Sequence, residues 1–218
     1  MDKKLIKKLI KNEFGEFLHT EGFVSKSETL FLKVTPDNVL HIINFDLGSI
    51  GFTCAIAMQP LYTFEHTKVV SLSMGERLSR FRIVQKEWWS YDEPEKGVSE
   101  IKELLIKNGL PWFEQYGTPF GIVEFIATGK VKEYGLKLFD SFHQKQYLGF
   151  SLLYTGRIDE GIKCIYELIS EISDTAAEFI LTYKGQLVDL ITQIKNQPDK
   201  TLIIIDDIVK ENKRCLKI

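Results

Sequence analysis

From Leu5 the apolar positions recur as Leu5, Ile6, Leu9, Ile10, Phe14, Phe17 and Leu18, with Lys3, Lys4, Lys7, Lys8 and Lys11 on the other side. This is the period of an amphipathic helix. Glu13 and Glu16 interrupt the basic face, so the stripe predicts a helix docked on a core, not one lying on a membrane. Gly22 ends the pattern, and the chain then alternates in short β-rich runs. Residues 29–34 and 39–45 flank Thr35, Pro36, Asp37 and Asn38, whose types favour a tight reversal and predict a hairpin. In its second strand Val39, His41, Ile43 and Phe45 share one face, and Leu40, Ile42 and Asn44 share the other. Gly48 and Gly51 break the run before Phe52, Cys54, Ile56 and Met58 alternate as a third strand, which Pro60 stops.

A segment with His66, Val69, Val70, Leu72 and Met74 predicts a further strand or an excursion, and residues 80–84 read as a fourth or fifth strand. In that strand Arg80 and Arg82 would point the same way, as a small anion-accepting patch or a salt-bridged face. Ser99 is the expected N-cap of a helix carrying Ile101, Leu104 and Leu105, with Gly109 as its stop. Pro111 then opens a short turn with Trp112, Phe113 and Tyr116, closed by Gly117 and Pro119. Beyond Gly129 helix-spaced apolar positions cover 136–154, 159–172, 174–194 and 201–216. The expected class is α+β: an antiparallel sheet with packed helices over 1–128, followed by an all-helical domain over 129–218.

All three tryptophans fall in two motifs, Trp88-Trp89-Ser90-Tyr91-Asp92 and Leu110-Pro111-Trp112-Phe113-Glu114. In an extended segment Trp88 and Trp89 face opposite ways, so at least one is expected in the core. Aromatic side chains dominate both small cores and binding hot spots. Trp88, Trp89, Tyr91 and Asp92, with Arg80 and Arg82, are therefore the candidate binding surface, and Trp112 and Phe113 the candidate anchors of the fold. Asp92, Glu93, Glu95, Glu100 and Glu103 would form either an acidic rim near the tryptophans or a solvated charge run.

In this order the opening helix, Gly22-Phe23, the β-rich centre, Trp88-Trp89 with Tyr91-Asp92, and Leu110-Pro111-Trp112-Phe113-Glu114 resemble a bacterial family known as domain of unknown function 4304, over residues 2–120. The resemblance implies an intracellular α+β domain and supplies no activity, cofactor or catalytic residue. For some such domains it suggests a role in toxin immunity or similar interactions. Leu148-Gly149, Leu152, Gly156-Arg157, Gly161, Ile165 and Leu168 are similar to one tetratricopeptide hairpin, with Lys145 where that family prefers a large aromatic. Gly149 and Gly161 would let its two helices approach closely, and Gly156-Arg157 would supply the turn.

Composition narrows the function classes. The chain of 218 residues, 44% apolar and 27% charged, can bury a core, and its net charge of -2 provides no field for phosphate backbones or acidic membranes. Neither nucleic acid nor membrane is an expected partner. Cys54, Cys164 and Cys215 are odd in number and far apart, which suggests free thiols in a reducing compartment; with no leader-like apolar stretch at the start, the cytoplasm is the expected address. His19, His41, His66 and His143 show no metal-ligand spacing, and no metal or cofactor is expected. The residues 48–51 lead to a strand and not a helix, so they are no phosphate cradle, and Asp206-Asp207 lacks the Gly-rich loop a nucleotide would need. Two function classes remain. One is a noncatalytic interaction domain, immunity-like or an adaptor, with a protein partner. The other is an enzyme acting on a small molecule, with His41 or His66 assembled beside Cys54, an Asp or a Glu.

Overall fold

Five strands follow a first helix: α1 (Lys3–Thr20), then β1 (Val24–Ser27), β2 (Leu30–Val34), β3 (Val39–Leu47), β4 (Phe52–Pro60) and β5 (Gly75–Arg77). The computed structural model describes residues 3–64, 69–84, 86–134 and 139–218. The strands form one antiparallel sheet in chain order, β1-β2-β3-β4-β5. The class is α+β with a helical C-terminal part. The hairpin has the expected composition, with Leu32 opposite Ile42 and Phe31 opposite Ile43, and Asn38 takes a positive φ of 57° in the reversal.

By contact density the chain divides into two units: Met1–Pro36, Leu40–Gln59 and Ser71–Gly117 form the first, and Asp37–Val39, Pro60–Val70 and Thr118–Ile218 the second.

In the first unit α1 buries Ile6, Ile10, Phe14 and Leu18 of the stripe read from the sequence, while Leu9 and Phe17 are half-buried and Leu5 is exposed. Phe14 meets Phe45 of β3 edge to face at 4.9 Å. Phe52, Cys54, Ile56 and Met58 of β4 are fully buried. Residues 80–84 are not a strand. Leu78–Phe81 is a 3-10 turn, and the last strand is the short β5, paired through Ala55↔Arg77, Ile56↔Glu76 and Ala57↔Gly75. The alternation of arginine with apolar residues imitates a strand, but Arg82 finds its partners off the sheet, as described below.

α2 (Pro94–Leu104) begins earlier than Ser99: Pro94 takes the first helical position, where its missing N–H costs nothing. Gly109 does not stop it. The chain continues through a π turn, Leu105–Gly109, directly into α3 (Leu110–Tyr116). Pro111 has no N–H to bond the carbonyl of residue 107 and its ring would crowd that carbonyl, so the helix widens here. The Leu110 N–H reaches back to Leu105 O, and Asn108 Nδ2 bonds Leu104 O at 3.3 Å. Gly109 lies in the packed interior: a Cβ there would stand 2.7 Å from Leu105 Cδ1, which would have to shift, and in ordinary contact with Ile56 of β4 at 3.5 Å.

The second unit is helical: α4 (Pro119–Ala127), α5 (Lys130–Tyr134), α6 (Ser141–Tyr154), α7 (Ile158–Glu171), α8 (Glu178–Asn196) and α9 (Thr201–Leu216). α4 and α5 were not anticipated; Thr118 caps α4 by accepting the Gly121 N–H at 3.0 Å. The first residues of the helix read over 136–154 lie outside the described residues. α6 and α7 form the expected hairpin, with Gly156 at φ +82° in the turn. A Cβ on Gly149 would come within 2.8 Å of Ile165 Cγ1, and one on Gly161 within 2.7 Å of Leu153 Cγ, so both glycines serve the close approach. The stretch after β4 is held among these helices. Asn212 of α9 donates to Leu61 O at 2.8 Å and Thr63 O at 2.7 Å, Tyr62 bonds Ser151 at 2.9 Å, and Gln146 Nε2 donates to Phe64 O at 2.6 Å.

Candidate functional site

The Trp88-Trp89 segment lies in the first unit on the outer edge of β4, beside β5. Trp89 N–H donates to Phe52 O at 2.8 Å and Phe52 N–H to Trp89 O at 3.0 Å, an isolated antiparallel bridge. Extended backbone turns the two indoles apart, and the split expected of them is present: Trp89 is buried and Trp88 half-buried. Three glycines make room. A Cβ on Gly51 would collide with the Trp89 carbonyl, one on Gly97 would lie 2.6 Å from Phe52 Cζ, and one on Gly48 2.8 Å from the Trp88 ring.

Arg82 fastens this segment to α2. Its guanidinium carbon lies 4.4 Å from the Trp89 ring centroid, and its Nε and Nη2 donate to the two oxygens of Glu100 at 2.9 and 3.1 Å. Trp89 Nε1 donates to the same carboxylate at 2.8 Å. Arg82 Nη1 donates to Lys86 O at 2.9 Å and Trp88 O at 3.4 Å, closing the turn between them. A planar five-donor fork suits this task, since it can bond a carboxylate and two carbonyls while stacking on an indole. Arg77 stands 5.3 Å from the Trp88 ring centroid and pairs with Glu87.

Arg80 and Arg82 do not act together. Arg80 bonds Glu76 at 3.2 Å from within the 3-10 turn, and Arg82 turns to Glu100. Desolvation raises the Glu76 carboxyl above its ordinary value, against the opposing bond from the Arg77 N–H and the charge of Arg80. Tyr91 donates to Gly48 O at 2.9 Å; desolvation first, then the charge of Asp46, raises its phenol. Asp92 is exposed and accepts from Ser90 Oγ at 2.8 Å in the turn that leads into α2. A cleft of about 190 Å³ runs along Arg82, Lys86, Trp88, Trp89, Glu93 and Glu100.

The segments that meet here leave large apolar side chains in solvent. Ile83 is 102% exposed and Val84 59%, both in the turn Arg82 closes; Ile50, in the turn whose Gly48 and Gly51 carry Trp88, is 73% exposed. None of these three was singled out from the sequence. The segment of Ile50 is tied to the tryptophan segment by contacts far apart in sequence, the Phe52–Trp89 bridge and the Tyr91–Gly48 bond.

Trp112 and Phe113 are buried in α3. Phe113 stacks on His41 with ring centroids 4.5 Å apart and planes 8° from parallel. His41 Nε2 donates to Gly117 O at 2.9 Å. Desolvation lowers its pKa from 6.5 to about 4, opposed by that bond and aided by the charge of Lys33. Cys54 is fully buried, which pushes its thiol far above the ordinary range. Both side chains are buried; burial keeps His41 a neutral imidazole and Cys54 a thiol. His66 lies outside the described residues. Among the described residues no group of three His, Cys, Asp or Glu could hold a metal ion, and no helix is long and apolar enough to cross a membrane.

No family model, no curated protein and no solved structure matches the chain.

Proposed function

We propose that this chain is a noncatalytic protein-interaction module, an adaptor or an immunity-like inhibitor, whose partner meets the apolar rim of Ile83, Val84, Ile50 and Trp88. The observation that supports this most is the full exposure of Ile83 on a turn whose ends Arg82 ties down through Lys86 O and Trp88 O. An apolar side chain next to an anchored residue such as Arg82 loses little backbone entropy when a partner covers it. Trp88, half-buried beside Arg77, has the composition of a hot spot, and Trp89, turned the other way, anchors the segment through Arg82 and Glu100.

A bacterial cytoplasm is the proposed setting, supported by the three free cysteines and the motif order that resembles domain of unknown function 4304. A protein is the proposed partner in preference to nucleic acid because four of the cationic groups here are matched by acids: Arg77 by Glu87, Arg80 by Glu76, Arg82 by Glu100 and Lys96 by Glu93. The experiment is affinity capture from the native extract with the parent chain and with an Ile83→Asp, Val84→Asp chain in parallel. A specific protein retained only by the parent supports the reading. A protein retained equally by both removes the rim as its contact.

A further inference from the structure

We propose that the groove between Tyr154 and the first turns of α9 binds a small amphipathic cation, with its ammonium on Asp206, its apolar body on Leu202 and Ile203, and an oxygen accepting the Tyr154 proton. This site lies within the second unit and is separate from the rim of the first.

α9 buries Thr201, Ile205, Val209, Asn212 and Leu216, a complete helix-spaced stripe that makes no use of its first two aliphatic side chains. Leu202 and Ile203 are instead 56% and 64% exposed, and with Tyr154 and Asp206 they line a groove of about 350 Å³. That volume lies at the lower end of the range of small-molecule sites, roughly 300–1,000 Å³.

The hydrogen bonds give the groove a direction. Lys213 Nζ donates to Asn38 Oδ1 at 2.7 Å, which fixes the amide and leaves its NH2 facing Tyr154 Oη at 3.0 Å. An NH2 group only donates, so the phenol oxygen accepts and its own proton must be given elsewhere. Among the described residues none receives it. The ring cannot turn away, because it stacks on Tyr62 at 4.4 Å and Tyr62 is buried and bonded to Ser151. A fixed donor of this kind at the edge of an apolar groove selects an oxygen acceptor.

The charge is complementary to a cation. Asp206 and Asp207 share one ammonium, Lys210, at 2.9 and 3.0 Å, leaving a net negative charge at this end of α9. The pair is exposed and Lys210 has Asp207 as a second partner, so a ligand ammonium can take the place of Lys210 on Asp206 while Lys210 stays on Asp207.

The test is a 1H–15N NMR titration of the full chain with phenylalaninamide, which carries an ammonium, a benzyl group and a carbonyl oxygen. Saturable shifts are expected on Leu202, Ile203 and Tyr154 with a dissociation constant of about 1 mM, the scale set by roughly 0.3 kcal/mol per heavy atom. 3-Phenylpropionamide, which lacks the ammonium, should bind about ten-fold more weakly to the parent. Asp206→Asn should abolish the difference between the two amides, and Tyr154→Phe should weaken both by about five-fold. The spectra themselves report that each variant is folded, and Asp206, being on the surface, keeps the test open whatever Tyr154→Phe does. The proposal is overturned by an absence of saturable shifts, by affinities that neither substitution changes, or by α9 shifts that follow protein concentration without ligand, which would assign the groove to a second copy.

Discussion

Arg82 lies over the face of Trp89, 4.4 Å from its ring centroid, while both donate to the single carboxylate of Glu100. Three residues from three segments thus lock a turn, a β-bridge and a helix together. The side chain of Arg82 is 13% exposed, so its charge depends on that one acid. Removal of Glu100 leaves a largely desolvated guanidinium and an indole N–H without an acceptor. Glu100→Ala is therefore expected to cost about 2 to 3 kcal/mol in urea denaturation, and an unchanged midpoint would refute the clamp.

The glycines divide by what a methyl group would meet. At Gly97 it would strike Phe52 and Trp89, and Gly97→Ala should destabilise by about 1 to 3 kcal/mol. Gly15 in α1 and Gly185 in α8 have nothing within 4 Å, and alanine there should stabilise by about 0.5 to 1 kcal/mol through helix propensity. Thermal unfolding of the three variants checks the contrast. Equal effects at Gly97 and Gly15 would mean that the Trp89 packing is loose.

His41 gives a pH dependence of defined sign. Its folded pKa of about 4 lies below the ordinary 6.5, so between these values the unfolded chain binds the extra proton. Stability is whole above pH 6.5 and falls as the pH drops toward 4, by roughly 3 kcal/mol in all. His41→Gln retains a donor for Gly117 O and removes this titration. The difference between parent and variant stabilities should change over that window; a constant difference would show that His41 does not titrate there.

Legibility in the sequence followed the range of the interactions. The α1 stripe, the hairpin, the third strand and α9, whose bounds 201–216 match, were readable because periodic burial imposes a local pattern. Residues 80–84 misled because Arg80, Phe81, Arg82, Ile83 and Val84 alternate as a strand does, whereas the partners of Arg82 lie at Lys86, Trp88 and Glu100. Gly109 reads locally as a stop and is in fact inside a continuous helix, buried near Ile56 of β4, a placement visible only after packing. Of the candidate site, the tryptophan segment and Arg82 were legible; the exposure of Ile83 and Val84 was not, because their alternation with the arginines reads as a buried strand face, and Ile50 stands alone between two glycines.

The second unit takes in residues 60–64 long before its helices begin. Leu61 O and Thr63 O receive Asn212 Nδ2 from α9, and Phe64 O receives Gln146 from α6. A fragment of residues 1–130 loses all three donors. It should unfold with a shallower denaturant slope than the full chain, or aggregate; a sharp, reversible, monomeric transition would contradict this.

The central claim, that the turn held by Arg82 is the contact surface, is tested most directly by the affinity of the purified partner for single charge substitutions, measured by titration calorimetry. Ile83→Asp should weaken binding by at least about ten-fold, as expected for a hot-spot tip. Val24→Asp, at a similarly exposed apolar residue on β1, should leave it unchanged. Equal affinity for Ile83→Asp and the parent, in a chain that remains folded, would contradict the account.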